Sequence, residues 1–388
     1  MDNIKKVPEI RFKGFDEEWE KSALENVAKV YDGTHQTPKY KNHGIMFLSV
    51  EDIKTLKSNK FISKEDFIKD FKVYPERGDI LMTRIGDIGT SNFIDTDEIL
   101  AYYVSLALIK PFDISCYYLN YLISSNLFRE ELNNRTLNTA IPKKINMGEI
   151  GKINFYKPTN KEQTQIGTFF KNLDEKLEIE KEKHKKLIDF KKAMLDDMFP
   201  KYGEKVPKVR FEGFNDEWKT EIVGNTSVIT IGDFVHSSKQ NISGLYPVYN
   251  GGVSYTGFYN KFNNEANKVI VSARGANAGY VNIVRRRYWA GNSCYSVEIS
   301  NFSKHNLEFL YQSMKLRSIK LIERQQAANI PSVSKNDVYN LEILFPSPKE
   351  QALIGNFFKN LDEKIELSEQ KIAKIENFKK AMLDKMFV

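Results

Sequence analysis

The octapeptide FFKNLDEK stands at residues 169–176 and again, unchanged, at 357–364 of a chain of 388 residues. Chance does not write eight letters twice in one chain of this length, so internal repetition is the first fact about the molecule. The matches extend outward. VPEIRFKGFDEEW (7–19) returns as VPKVRFEGFNDEW (206–218), RIGDIG (84–89) has a looser partner in RGANAG (274–279), and AIPKK (140–144) resembles NIPSV (329–333). The offsets shrink from 199 to 188 along the chain, as a tandem duplication with small loop insertions requires. The tails are the best-preserved part: residues 162–200 and 350–388 match at 24 of 39 positions. Each half is a divergent body of about 150 residues followed by a constant arm. Chemistry shared by both bodies would preserve them, but here the arms were preserved.

The arms read as long helices. In the second, Ile354, Phe358, Leu361, Ile365, Ser368, Ile372, Ile375, Lys379, Met382 and Met386 follow a strict 4-3 alternation, which is a heptad seam. The first arm repeats it with Ile166, Phe170, Leu173, Leu177, Glu180, His184, Leu187, Lys191, Met194 and Met198. Its breaks at Glu180, His184 and Lys191 are lone charges that would weaken a symmetric pairing. Such a helix spans on the order of 55 Å. One apolar stripe needs a partner. The simplest partner for each arm is the other, and antiparallel pairing would put the bodies at opposite ends of a rod with an approximate internal two-fold axis. A coiled coil between separate chains is the alternative.

The bodies mix strand and helix patterns. GIMFLSV (44–50), GDILMTRIG (78–86), YVSLALI (103–109), KVIVSAR (268–274) and CYSVEI (294–299) alternate as strands do, while 115–133 and 304–322 carry helical spacing. The expectation is an α+β protein: bodies at 1–160 and 201–348, arms at 161–200 and 349–388.

Composition narrows the function. The chain is 41% hydrophobic and 28% charged, with a net charge of +7. No apolar run approaches the eighteen residues of a membrane span, and MDNIKKVPEIRFKGF does not read as a secretory signal. Cys116 and Cys294 have no metal-ligand spacing and point to free thiols in a reducing cytoplasm. No D/N-P-P-Y, no glycine fingerprint after a strand, no phosphate-binding G-x-x-x-x-G-K-S/T and no H-E-x-x-H occurs. An independent enzyme is therefore disfavoured. The arms are nearly neutral, so the positive excess lies in the bodies and favours a polyanion.

Reading bases takes Arg, Lys, Asn or Gln on a supporting scaffold. Arg84 and Arg274 stand at equivalent places, each after a strand and beside glycines; the plainer reading is an arginine that braces its own turn. GTHQTPKY (33–40) offers Gln36 and Lys39, and YNGGVSY (249–255) offers Asn250 and Tyr255. Asn277, Lys143, Arg324 and Gln325 complete the candidates. The arm seam is assigned to Phe170, Leu173, Leu177, Leu187 and Met194 of the first helix, and to Phe358, Leu361, Ile365, Ile372, Ile375 and Met382 of the second.

The whole pattern resembles the DNA-specificity subunit of Type I restriction-modification systems. The stretches that carry it are VPxxRFxGFxxEW opening each half, IPK closing the first body, and EQxxIGxFFKNLDEKxE…FKKAMLDxMF ending each half. The resemblance implies two target recognition domains joined by an antiparallel coiled coil. It also implies a split, asymmetric duplex DNA site, two adenine-methyltransferase subunits, and motor-nuclease subunits. No cofactor is expected on this chain; S-adenosylmethionine, ATP and Mg2+ would belong to the partners. The second body closes with NIPSV instead of a basic AIPKK, so Ser332 would not contact DNA as Lys143 could. The rival readings are a coiled-coil adaptor binding proteins through two heads, and a stand-alone enzyme with an unrecognised site.

Overall fold

The computed structural model describes residues 7–323 and 331–388. The first half contains β1 (Glu20–Ala23), β2 (Ala28–Asp32), β3 (Ile45–Leu48), β4 (Phe61–Ile62), α1 (Lys64–Asp70), β5 (Ile80–Thr83), β6 (Ser91–Phe93), β7 (Leu100–Tyr102) and β8 (Leu106–Pro111). It continues with α2 (Cys116–Ser124), α3 (Asn126–Arg135), α4 (Met147–Gly151), β9 (Asn154–Lys157) and the arm α5 (Asn160–Asp197). The second half contains β10 (Lys219–Ile222), α6 (Val223–Thr226), β11 (Ser227–Ile231), β12 (Tyr246–Tyr249), β13 (Gly257–Tyr259), β14 (Lys268–Ser272), β15 (Val281–Val284), β16 (Trp289–Ala290) and β17 (Cys294–Ile299). It ends with α7 (Leu307–Glu323), α8 (Lys335–Tyr339), β18 (Glu342–Phe345) and the arm α9 (Pro348–Lys385).

Both halves use one α+β plan. A four-stranded antiparallel sheet runs β2-β8-β5-β6 in the first and β11-β17-β14-β15 in the second. A three-stranded sheet, β4-β3-β7 or β13-β12-β16, includes one parallel pair, β3 with β7 or β12 with β16. A short pair, β1-β9 or β10-β18, joins the start of each body to its end. The helix expected over 115–133 is broken at Ser125. Its Oγ donates to the Leu122 carbonyl at 2.6 Å and accepts the Phe128 N–H, ending α2 and capping α3. The three-stranded sheet has its own core, larger in the first half (Phe47, Phe67, Phe71, Tyr102) than in the second (Ile270, Tyr288, Cys294).

The chain divides into two compact units, residues 1–181 with 370–388, and 182–369. The arms are thus shared between units and are not a separate layer, which differs from the expected four-segment partition. In the first unit the core of α2, α3 and the large sheet takes Ile166 and Phe170 from the start of α5, then Met386 and Phe387 from the end of the chain. In the second it takes Ile354 and Phe358 from the start of α9, then Met198 and Phe199 following α5.

The two arms run antiparallel within each unit. In the first, Lys379 pairs with Asp174, and Lys371 reaches Glu180 at 2.8 Å, so positions fall along α9 as they rise along α5. In the second, Lys191 pairs with Asp362, and the Phe199 and Phe358 rings lie 5.8 Å apart. All the assigned seam residues are buried or half-buried: Phe170, Phe358 and Leu361 are buried, and Leu173, Leu177, Leu187, Met194, Ile365, Ile372, Ile375 and Met382 half-buried. The expected weakening at seam charges is corrected in part. Glu180, Lys191 and Lys379 each meet an opposite charge from the facing helix. Asp174 also accepts from the Tyr121 hydroxyl at 2.7 Å, and Asp362 from the Gln312 amide at 2.9 Å, tying each arm to a body.

The repeated motifs resolve into one joint, built twice. Arg11 forms a two-bond fork with Glu162 (2.7 and 2.8 Å), and Arg210 with Glu350 (2.7 and 2.9 Å). Both carboxylates are fully buried. The adjacent Gln163 and Gln351 donate to the Pro158 and Pro346 carbonyls. Gly167 and Gly355 let the arm touch α2 or the start of α7: a Cβ there would lie 2.8 Å from the Tyr117 Cβ or 2.9 Å from the Phe309 nitrogen. Trp19 and Trp218 close the motif inside the cores, edge-on to Tyr118 and Phe309. Glu350→Ala strands the Arg210 guanidinium and is expected to destabilise the second unit by about 3 kcal/mol. Urea unfolding followed by tryptophan fluorescence measures it, and Glu350→Ala with Arg210→Met is expected to recover part of the loss.

Candidate nucleic-acid interface

In the first unit four connections converge at one end of the large sheet, beyond the ends of β2, β8 and β5. The turn after β2 is fastened to the β7–β8 connection by Thr34 N–H to Tyr102 O (3.3 Å) and Val104 N–H to Thr34 O (3.0 Å). Gly33 permits this, because a Cβ there would lie 2.6 Å from the Tyr102 carbonyl oxygen. The turn after β5 is fastened to the β7–β8 connection by Arg84 N–H to Ser105 O (2.9 Å). Its bonds to the segment before α4 are Ile145 N–H to Arg84 O (3.0 Å) and Gly86 N–H to Lys143 O (2.8 Å). Gln36, Lys39 and Lys143 are exposed on these connections.

Arg84 is corrected as a base-reading candidate. It is 7% exposed, and its guanidinium donates to Asp32 Oδ1 (2.7 Å), the Val104 carbonyl (2.8 Å) and the Ile145 carbonyl (3.2 Å). It braces three connections from within. The other oxygen of Asp32 holds the exposed His35 ring at 2.8 Å.

The second unit repeats the backbone bonds with a shift. Ala273 N–H reaches Ser293 O (2.8 Å), Val333 N–H reaches Ala273 O (2.8 Å), and Gly275 N–H reaches Pro331 O (3.0 Å). Ala273 therefore occupies the place of Arg84, and Arg274 that of Ile85, which corrects the expected equivalence of the two arginines. One residue of offset turns a side chain to the other side of extended backbone. Arg84 is inside, whereas Arg274 is exposed. The loop that follows is one residue longer, closing through Gly279 N–H to Ser272 O where the first unit closes through Gly89 N–H to Thr83 O, and it exposes Asn277.

The 249–255 turn lies against this loop, with Gly251 at positive φ; a Cβ there would lie 2.9 Å from the Arg274 carbonyl oxygen. Tyr255 is half exposed beside Tyr249 and Phe258. Asn250 is half-buried, and its Oδ1 accepts the Ser293 N–H at 3.2 Å, so that oxygen fastens the turn. The second unit thus brings Asn250, Tyr255, Arg274 and Asn277 together. Arg324 and Gln325 lie outside the described residues.

Sequence reading missed the run Arg285–Arg286–Arg287 after β15, although three consecutive arginines were a signal. Arg285 forks onto Glu308 (2.9 and 2.7 Å) and Arg287 bonds Glu265 (2.8 Å), while the Arg286 guanidinium stands 5.5 Å from the Phe258 ring centroid. Burial pushes the Tyr249 phenol up, and the charge of Arg286 opposes that rise.

The family described as the Type I restriction modification DNA specificity domain matches residues 16–189 and 188–377. The chain belongs to this family. Its two DNA specificity domains each take in one body and part of an arm. A putative type I specificity subunit of Mycoplasma genitalium is 26% identical over 161 residues, 41% of this chain and 42% of that protein. The MjaVIII specificity subunit of Methanocaldococcus jannaschii is 24% identical over 193 residues, 45% of each. The chain spans less than half the length of these curated relatives in the matched regions. The fold is similar to that of a crystallised M. genitalium Type I S subunit, with a TM-score of 0.73 and 16% identity over 98% of this chain and 99% of that one. No helix among the described residues is long and apolar enough to cross a membrane.

The geometry separates two kinds of arginine. Arg84→Met leaves Asp32 and two carbonyls without their donor and is expected to destabilise the first unit by about 3 kcal/mol. Arg274→Ala is expected to leave the unfolding curve unchanged while lowering DNA affinity. Denaturant unfolding and duplex binding on the two variants check both outcomes.

Proposed function

We propose that this chain is the non-catalytic specificity subunit of a Type I restriction-modification complex, reading a bipartite, asymmetric duplex DNA site with one body per half. The observation that supports this most is the contrast between scaffold and loops. The sheets and the Arg–Glu joint are the same in both units, but the exposed groups differ: Gln36, Lys39 and Lys143 on one, Tyr255, Arg274 and Asn277 on the other. Two unlike loop sets on one scaffold suit two unlike half-sites. Lysines favour phosphate, which positions without specifying, whereas Arg and Asn match guanine and adenine edges in the major groove.

The arms serve as the frame on which two methyltransferase subunits dock and methylate adenine, with motor-nuclease subunits adding ATP-dependent restriction. S-adenosylmethionine, ATP and Mg2+ belong to those partners, and the complex works in the cytoplasm. Heads bound on one face of a duplex would read half-sites about one helical turn, roughly 35 Å, apart. Co-expression with the methyltransferase partner and mapping of methylated adenines across a host genome is expected to return two different short motifs separated by unread base pairs. A continuous or palindromic motif would overturn the proposal.

A further inference from the structure

The connection between the two sheets carries opposite charge in the two units. In each, an edge strand of the four-stranded sheet leads into an edge strand of the three-stranded sheet: β6 into β7, and β15 into β16. In the first unit that connection presents Asp95, Asp97 and Glu98, with Arg77 drawn onto both aspartates. In the second it presents Arg285, Arg286 and Arg287. In the second unit the Arg286 guanidinium lies over the Phe258 ring and that of Arg287 over the Phe262 ring.

Two of the three arginines are neutralised by Glu308 and Glu265. Arg286 is exposed and, among the described residues, has no carboxylate in ion-pair contact. A cation steadied by a ring keeps its whole charge for a further partner. Its neighbourhood is the candidate interface itself, since Phe258 touches Tyr255 at 4.9 Å between ring centroids, and Tyr255 adjoins Tyr249 and the Gly251 turn packed on Arg274.

We propose that Arg286 is a DNA-phosphate contact of the second unit, one that the first unit lacks because its acidic connection repels the backbone at the same place. The inference rests on the DNA-specificity reading. A phosphate contact fixes register without selecting bases, so its loss changes affinity and salt dependence but not the sequence chosen.

The test uses the full chain and duplexes that the wild-type protein selects from a random-sequence pool, with affinity measured between 0.05 and 0.5 M salt. Arg286→Met keeps an apolar stem over Phe258 without the charge, Arg286→Gln removes the charge with a polar end, and Arg286→Lys keeps the charge. Circular dichroism establishes that each is folded. The Met and Gln variants are expected to show a salt slope shallower by about 0.9 and affinity roughly eightfold lower at 0.1 M salt, with the selected sequence unchanged and the Lys variant close to wild type. Wild-type affinity and slope in both uncharged variants would reduce Arg286 to a cover for Phe258 and overturn the proposal. A changed selected sequence would overturn the phosphate assignment in favour of base reading. Unchanged DNA binding with loss of methyltransferase binding would assign the cation to a protein partner and equally overturn it. A wild-type chain that selects no duplex would remove the underlying reading together with the proposal.

Discussion

Each arm has to fit two cores, and the rest of the architecture follows from that constraint. The start of α5 supplies Ile166 and Phe170 to the first unit, while Met198 and Phe199 at its end enter the second. The α9 arm does the converse with Ile354 and Phe358, then Met386 and Phe387. A substitution at either end of either arm therefore alters the core of one unit or the other, and both arms meet the same pair of demands. That accounts for the close match between the ends of the two arms, while their middles, which enter neither core, have diverged. The bodies face no such double demand beyond their sockets, so their outer connections were free to diverge.

Polar groups keep the pairing in register. The Asp174–Lys379 and Asp362–Lys191 pairs sit at matching heptad positions, and each aspartate also accepts a hydrogen bond from its body, from Tyr121 or Gln312. Slipping the arms by one turn would separate these charges and withdraw the aromatic residues from their sockets. An apolar seam alone would tolerate such a slip more readily, and a polar pair at one seam position is a recognised device for specifying register. The Arg11–Glu162 and Arg210–Glu350 forks then fix the segment entering each body to the arm leaving it. The Arg and Trp of the opening motif and the Glu, Gln and Gly that begin the closing motif are parts of this joint.

The arms and the tandem plan were legible in the sequence because helical heptads and near-identical repeats are strong local signals. The broken helix at Ser125 was not, since the apolar spacing continues across it while the break depends on one side-chain cap. The placing of Arg84 and Arg274 was not legible either. Both follow a strand and precede glycine, and only the hydrogen bonds of Ala273 and Gly275 reveal the one-residue offset that buries one arginine and exposes the other. Loop convergence is likewise a tertiary fact. Residues near 33, 84, 104 and 143 meet through backbone bonds that no local pattern announces. The arginine run at 285–287 was visible, but its meaning required seeing which two guanidinium groups find a carboxylate.

If the loops read DNA and the arms and joints only hold them, specificity must be exchangeable by halves. Each unit has its own core, so a body can be replaced without unfolding its counterpart. The most direct measurement is to replace residues 20–158 with the corresponding body of a relative of different specificity, co-express the chimera with the proposed methyltransferase partner, and map methylated adenines. The account predicts that one half-site changes to that of the donor and the other is retained base for base; a simultaneous change in both half-sites would contradict it.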